Sequence, residues 1–277
     1  QQWRLNGAIT NADAQDRWML TTPVSYPADG TAMNTLRKSA ANIRLGEYIA
    51  DATAESIAHY GLDTPRIVIR LHQAAGTIGA VGTTGSYATT DYPEATITLV
   101  IGEQESDLVD YVLYDGGIYR CSTLLLRGVM NADWQETITR YPVLTALGNL
   151  ASLSRETADG VDTWIITRTE QVAENNELVT DDEGNQVYDI TLTKNGESAD
   201  YTAFSAAYNQ LMMVTMSGRL PDDWTAADAP HTVWTFTDID GTVHTVALIR
   251  YDAMHDAVAV DGVALFYLIQ GGFSLGI

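Results

Sequence analysis

The chain has 277 residues, with 36 acidic against 15 basic side chains and a formal net charge of −21. A surface of that sign repels phosphate backbones and anionic headgroups, which excludes nucleic acid as a partner and electrostatic adhesion to a lipid surface. At 45% hydrophobic and 18% charged residues the composition is that of a globular protein long enough for one or two cores.

Two short strands open the chain, residues 2–9 and 17–21, joined by a polar turn at Asn11 and Asp13. The start on Gln1-Gln2-Trp3, without an initiator Met, is read as the expected trace of a trimmed N-terminal signal or anchor. Pro23 and Pro27 then lead into a predicted helix over residues 29–45. Its apolar residues Met33, Leu36, Ala40 and Ile43 fall at i, i+3, i+7 and i+10, one stripe of a helix. A shorter helix is predicted over 52–60, stopped by Gly61 in a left-handed conformation. Residues 66–71, Arg-Ile-Val-Ile-Arg-Leu, form a strand by β-branched content and alternation.

Residues 73–92 are rich in Gly, Ala and Thr, with glycines at 76, 79, 82 and 85. No proline falls among those glycines, so a collagen helix is excluded, and no Gly-Lys-Ser/Thr follows, so a phosphate-binding loop is too. The expectation is a mobile surface loop. A meander follows at 95–101, 110–114 and 118–122, the last two strands turning at Asp115-Gly116-Gly117. Residues 123–155 read as a connector holding Leu124-Leu125-Leu126 and a helical turn near Trp134. In the second half, strands are predicted at 162–171, 187–194, 232–237, 243–251, 257–260 and 263–267.

Between them lies a second helix, 200–216, in which Phe204, Ala207, Leu211 and Val214 repeat the stripe of the first at an offset of 200 − 29 = 171. An Asp stands at the start of each copy, Asp29 and Asp200, placed to accept from orphan backbone N–H groups. Asp115-Gly116 is answered by Asp261-Gly262 at an offset of 261 − 115 = 146, and in that register residues 98–101 align with 244–247. The reading is an α+β fold of two tandem repeats, each a mostly antiparallel sheet with one main helix packed on one face. The first repeat spans 1–130 and carries the Gly-rich insertion at 73–92; residues 131–157 connect it to the second, 158–277.

Trp18-Met19-Leu20-Thr21-Thr22-Pro23 before an Asp-initiated helix, then Tyr60-Gly61-Leu62-Asp63-Thr64-Pro65 and a strand, then Ile101-Gly102 and Tyr111-Val112, resemble the bacterial family called domain of unknown function 4340. The Tyr-Gly-Leu-x-x-Pro element is the most specific part. The resemblance implies an extracytoplasmic protein tethered to the bacterial membrane by an N-terminal segment absent from this chain, with a protein partner in a membrane-associated complex such as an ABC transporter. It implies no catalytic residues.

Direct motif searches add no chemistry. His59, His72, His231, His244 and His255 include no His-Glu-x-x-His pair. Asp181-Asp182-Glu183-Gly184-Asn185 lacks the ligand spacing of a calcium loop and reads as an acidic turn. No Gly-x-Ser-x-Gly is present, and the single cysteine, Cys121, on a strand reads as a buried structural thiol. No catalytic, cofactor or metal residues are therefore assigned, no cofactor is expected, and no run of about 18 apolar residues exists to insert into a bilayer. Trp3, Trp18, Trp164 and Trp234 fall on strands and read as core or sheet-face residues. Trp134 and Trp224 fall in connections, and Trp224 with Asp222, Asp223 and Asp228 combines an aromatic anchor with an acidic rim, the pattern of a partner contact. The expected function is a non-catalytic binding module. The alternative is a small-ligand binder or hydrolase working in a cleft between the repeats, with residues 76–85 as a lid.

Overall fold

The computed structural model describes the backbone of residues 4–8, 17–81, 87–173, 178–181, 183–184 and 186–276. It is an α+β protein whose sheets are antiparallel throughout. The chain divides into two compact units, one of Gln1–Asp29 with Ile138–Ile277 and one of Gly30–Thr137. The N-terminal hairpin therefore groups with the second half of the chain, and these compact units do not follow the expected boundaries at 130 and 157.

The first unit begins with β1 (Arg4–Ala8), β2 (Arg17–Thr22) and β3 (Tyr26–Pro27), ordered β1-β2-β3. Leu20 and Tyr26 are fully buried, and the Tyr26 ring meets Phe266 edge-on at 6.4 Å. Ala28 bridges Ile138, and the Thr139 N–H donates to the Pro27 carbonyl, so the chain leaves and re-enters this unit at one place.

The second unit opens with α1 (Gly30–Ala41). The helix ends four residues before the predicted limit, where Arg44 donates to the carbonyls of Ala41 and Ile43 and so satisfies orphan acceptors. Leu45 starts an unforeseen strand, β4 (Leu45–Asp51), because from there the chain finds a ladder partner in place of another helical turn. Next come α2 (Ala54–His59), held by a Thr53–Ser56 capping box, and β5 (Ile67–Gln73). Gly61 follows α2 with φ +65°, as its sequence position predicts.

The Gly-rich stretch corrects the loop expectation. Residues Gly76–Val81 (β6) and Tyr87–Tyr92 (β7) pair in register as a two-stranded ribbon, and Thr77 donates to Asp91 across it at 2.6 Å. The ribbon continues the β5–β8 hairpin outward, and cross-strand Thr and Tyr supply what the glycines lack. The burial of Ile78 and Val81, and residues 82–86, lie outside the described residues.

Then follow β8 (Ala95–Ser106), β9 (Val109–Tyr114), β10 (Gly117–Ser122) and α3 (Thr123–Met130), the last formed by the Leu-rich segment of the expected connector. The sheet runs β4-β10-β9-β8-β5. Leu99, Ile101, Val112, Cys121 and Leu126 make its core, with Ile43, Leu45, Ile67 and Ile69 against them. Cys121 is buried as expected, and burial pushes its thiol pKa up. Trp134 also corrects the reading, since it is only 6% exposed and belongs to core rather than contact surface.

Back in the first unit, β11 (Leu150–Thr157), β12 (Gly160–Glu170), β13 (Tyr188–Lys194) and β14 (Glu197–Ala199) precede α4 (Tyr201–Met212). Asp200 caps α4 by accepting from the N–H groups of Thr202 and Ala203. β15 (Gly218–Arg219), β16 (Thr232–Asp238), β17 (Val243–Arg250), β18 (His255–Val260) and β19 (Val263–Ile269) complete a nine-stranded sheet, β14-β13-β12-β11-β16-β17-β18-β19-β15. On one face an aromatic core joins helix and sheet: Trp164 stacks on Trp234 at 6.4 Å and meets Phe204, while Tyr208 meets Phe236.

Candidate functional site

The expected contact residues lie on the crossing from β15 to β16, residues 220–231. Its first end is fixed by Arg219, whose guanidinium pairs with Asp222 at 2.5 Å, and by a turn in which the Trp224 N–H donates to the Pro221 carbonyl. Leu220 is buried and Trp224 half-buried, both against Ile249, Ala257 and Ala259 on the sheet face opposite the α4 core. The indole meets Tyr251 edge-on at 6.3 Å, and Tyr251 stacks on Tyr267 at 5.2 Å. Trp224 is thus an anchored ring with one part exposed. Asp222, Asp223 and Asp228 are exposed on the same crossing, Asp222 engaged by Arg219.

The crossing's other end holds a feature that the sequence reading missed. His231 Nε2 lies 3.2 Å from Oδ1 of Asp256, a carboxylate that is 2% exposed, and Arg250 approaches the same oxygen at 3.5 Å. Asp256 sits among apolar strand residues, where a carboxylate persists only beside a cation or donor. The second unit contains a parallel arrangement. Arg66 pairs with Asp110, which is fully buried, and its Nε donates to the Gly102 carbonyl at 2.7 Å.

The sequence carried a signal for both pairs. Asp63-Thr64-Pro65-Arg66 and Asp228-Ala229-Pro230-His231 each stand directly before a strand, at an offset of 231 − 66 = 165, and Asp110 and Asp256 differ by 256 − 110 = 146. The Tyr-Gly-Leu-x-x-Pro element is therefore a structural clamp. A Cβ on Gly61 would lie 2.4 Å from Glu103 Cγ, and one on Gly102 would lie 2.4 Å from the Tyr60 carbonyl oxygen. Only glycines let the crossing lie that close to β8. The Tyr60 ring meets Tyr111 on β9 at 4.5 Å, on the face away from Asp110.

Two other carboxylates hold turns. Asp261 accepts from the Thr245 N–H and holds His244 Nδ1 at 2.9 Å. Asp252 accepts from the N–H groups of Met254 and His255 and from the His255 ring, which keep its carboxyl below the usual range. His72 lies 3.7 Å from Glu94. Among the described residues no three His, Cys, Asp or Glu gather as metal ligands. Of the acidic turn at 181–185, Asp182 and Asn185 lie outside the described residues; the Glu183 N–H donates to the Asp181 carboxylate. A shallow depression of about 300 Å³ lies at the His231 end, lined by Glu156, Thr157, Ala158, Pro230, His231 and Val233.

The geometry is that of a surface built from struts and an anchored aromatic ring on an antiparallel α+β framework. The chain belongs to the family described as domain of unknown function, DUF4340, whose model matches residues 18–232. That span takes in the clamp, both helices with the repeated stripe and the crossing with Trp224. Neither a curated protein nor a solved structure matches the chain.

Proposed function

We propose that this chain is a tandem pair of one α+β unit acting as a non-catalytic, extracytoplasmic interaction module in a bacterial membrane assembly, an ABC-transporter accessory. Support for the tandem pair comes from strand order. The sheet β4-β10-β9-β8-β5 has the same sequence of neighbours as β15-β19-β18-β17-β16, with α1 and α4 each preceding the first strand. The duplicated buried pairs Arg66–Asp110 and His231–Asp256 support it further. The Arg66 N–H donates to Ile101 and the His231 N–H to Leu248, so the register of β8 against β17 is one residue beyond the sequence alignment of 98–101 with 244–247. The insertion is then mainly the β6–β7 ribbon. The membrane assembly and the tether rest on the family resemblance alone.

The observation that carries the interaction reading is the partly exposed Trp224 ring, with Asp223 and Asp228 exposed on the same strand-to-strand crossing. A rigid aromatic with an acidic rim suits a basic or neutral protein surface. The test compares capture from bacterial membrane extract with melting curves for Trp224→Ala and for Asp223→Lys with Asp228→Lys. The charge-reversed variant, altered only at exposed positions, should melt like the parent and lose capture. Unchanged capture by both variants would remove this crossing from the contact surface.

A further inference from the structure

The two large sheets have four edges, and they differ. β14 and β15 offer three and two residues. β4 has seven, but its ladder with β10 shifts register twice, which twists an edge away from further pairing. β5 also has seven residues, and its ladder with β8 is continuous from Ile67–Ile101 to Gln73–Ala95, with no bulge and no proline. Lysine and proline, the usual guards of an edge, are both missing from it. β16, the counterpart of β5 in the proposed pair of units, is not an edge at all. β11 covers it, with Leu153 opposite Phe236, Ser154 opposite Thr235 and Glu156 opposite Val233.

We propose that the outer edge of β5 receives an extended segment of a partner protein with an acidic residue opposite Arg70, which adds a sixth strand where β11 lies in the other unit. The choice of edge rests on the tandem reading, through the matching of β5 with β16. Charge selects the occupant. Arg70, at the centre of β5, is exposed and has no ion pair among the described residues. It aligns with Thr235, so the incoming residue stands where Ser154 does, and an acid there complements it. A second copy of this chain fits badly, because antiparallel pairing of β5 on itself about its centre places Arg70 against Arg70. Ile67, Ile69 and Leu71 are half-buried on the core-facing side and leave apolar rims for alternate side chains. Main-chain hydrogen bonds would supply affinity and the alternate side chains selectivity, as in other strand additions.

The probe is a synthetic eight-residue strand with the sequence of residues 150–157 and glutamate in place of Ser154. Titration of the whole protein should give saturable binding, with amide exchange slowed at β5. Arg70→Glu should leave the melting curve unchanged and weaken binding about tenfold or more, the scale of a lost ion pair replaced by like charges. A probe with lysine at the same position should recover binding to Arg70→Glu. Slowed exchange at β14, β4 or β16 instead of β5 would overturn the proposal, as would equal binding by Arg70→Glu. Sedimentation of the protein alone as a dimer that Arg70→Glu dissolves would assign the edge to a second copy and overturn it too. The Trp224 crossing is untouched by this probe, so loss of membrane-extract capture and loss of strand binding are separate results. Strand order in an experimental structure tests the tandem reading by itself.

Discussion

Asp110 is the most demanding residue in the chain, because a carboxylate with no solvent exposure loses its hydration entirely. Arg66 compensates it, while remaining 36% exposed itself. Arg66→Ala would strand the buried charge, and discounting for that exposure the expected loss is about 2–3 kcal/mol by urea unfolding. Asp110→Asn, which removes the charge and keeps the shape, should cost less. Identical unfolding midpoints for Arg66→Ala and the parent would show the pair to be inert. Two buried phenols give a pH signature. Burial holds Tyr26 and Tyr208 protonated well above the ordinary tyrosine range, and Tyr208 donates to the Thr145 carbonyl at 2.9 Å. A pKa raised in the folded state contributes stability below the unfolded value and loses it as pH climbs past about 10. Alkaline titration followed at the phenolate absorbance should show two tyrosines that ionise only as the protein unfolds. Smooth ionisation of every tyrosine before unfolding would contradict their burial.

At the scale of elements, α1, α4 and the meander were legible because each obeys one period, whereas α3 was read as part of a connector. Phe204 and Leu211 announce α4 by spacing, and Asp200 announces its start. Asp200→Ala should cost about 1 kcal/mol, read as a lower melting temperature with the helical circular dichroism otherwise intact. No change would mean that the capping bonds are made equally well by solvent. What escaped the sequence had weak or mixed periodicity. β11 places Leu150 and Leu153 three apart, closer to a helical than a strand spacing, yet it sits in the middle of nine strands. It is flanked by β12, the next strand of the chain, and by β16, a partner distant in sequence. The β6–β7 ribbon failed for the opposite reason: glycine's low strand propensity hid a register set by the hairpin it extends. The contact residues Trp224, Asp222, Asp223 and Asp228 were legible as a group, but not the seat of the indole, since Tyr251 and Tyr267 come from later strands. The buried carboxylates Asp110 and Asp256 were illegible singly among 36 acidic residues and become visible only when the Asp-x-Pro segments are matched.

At the scale of the whole molecule the net charge of −21 governs encounters. Long-range attraction to a basic or neutral-faced partner should speed association at low salt and fade as the screening length shrinks to about 8–10 Å. For any partner captured through the Trp224 crossing, association rates measured between low and physiological salt should fall while dissociation rates change little. Salt-independent association would mean that the charge is a solubility feature and that recognition rests on apolar contact alone.

The division of the chain has a consequence for its synthesis. Residues 1–29 leave the ribosome before the 30–137 unit, yet the rest of their own unit lies beyond residue 137, and Tyr26 rests on Phe266. The 30–137 unit contains its own sheet and helices and can fold as soon as it emerges, in the usual manner of successive units. The 17–27 segment must instead wait, with Leu20 and Tyr26 uncovered, until the strand that carries Phe266 has been made. A segment made before the 30–137 unit is thus placed after it, and throughout that interval it is what a holding chaperone would see.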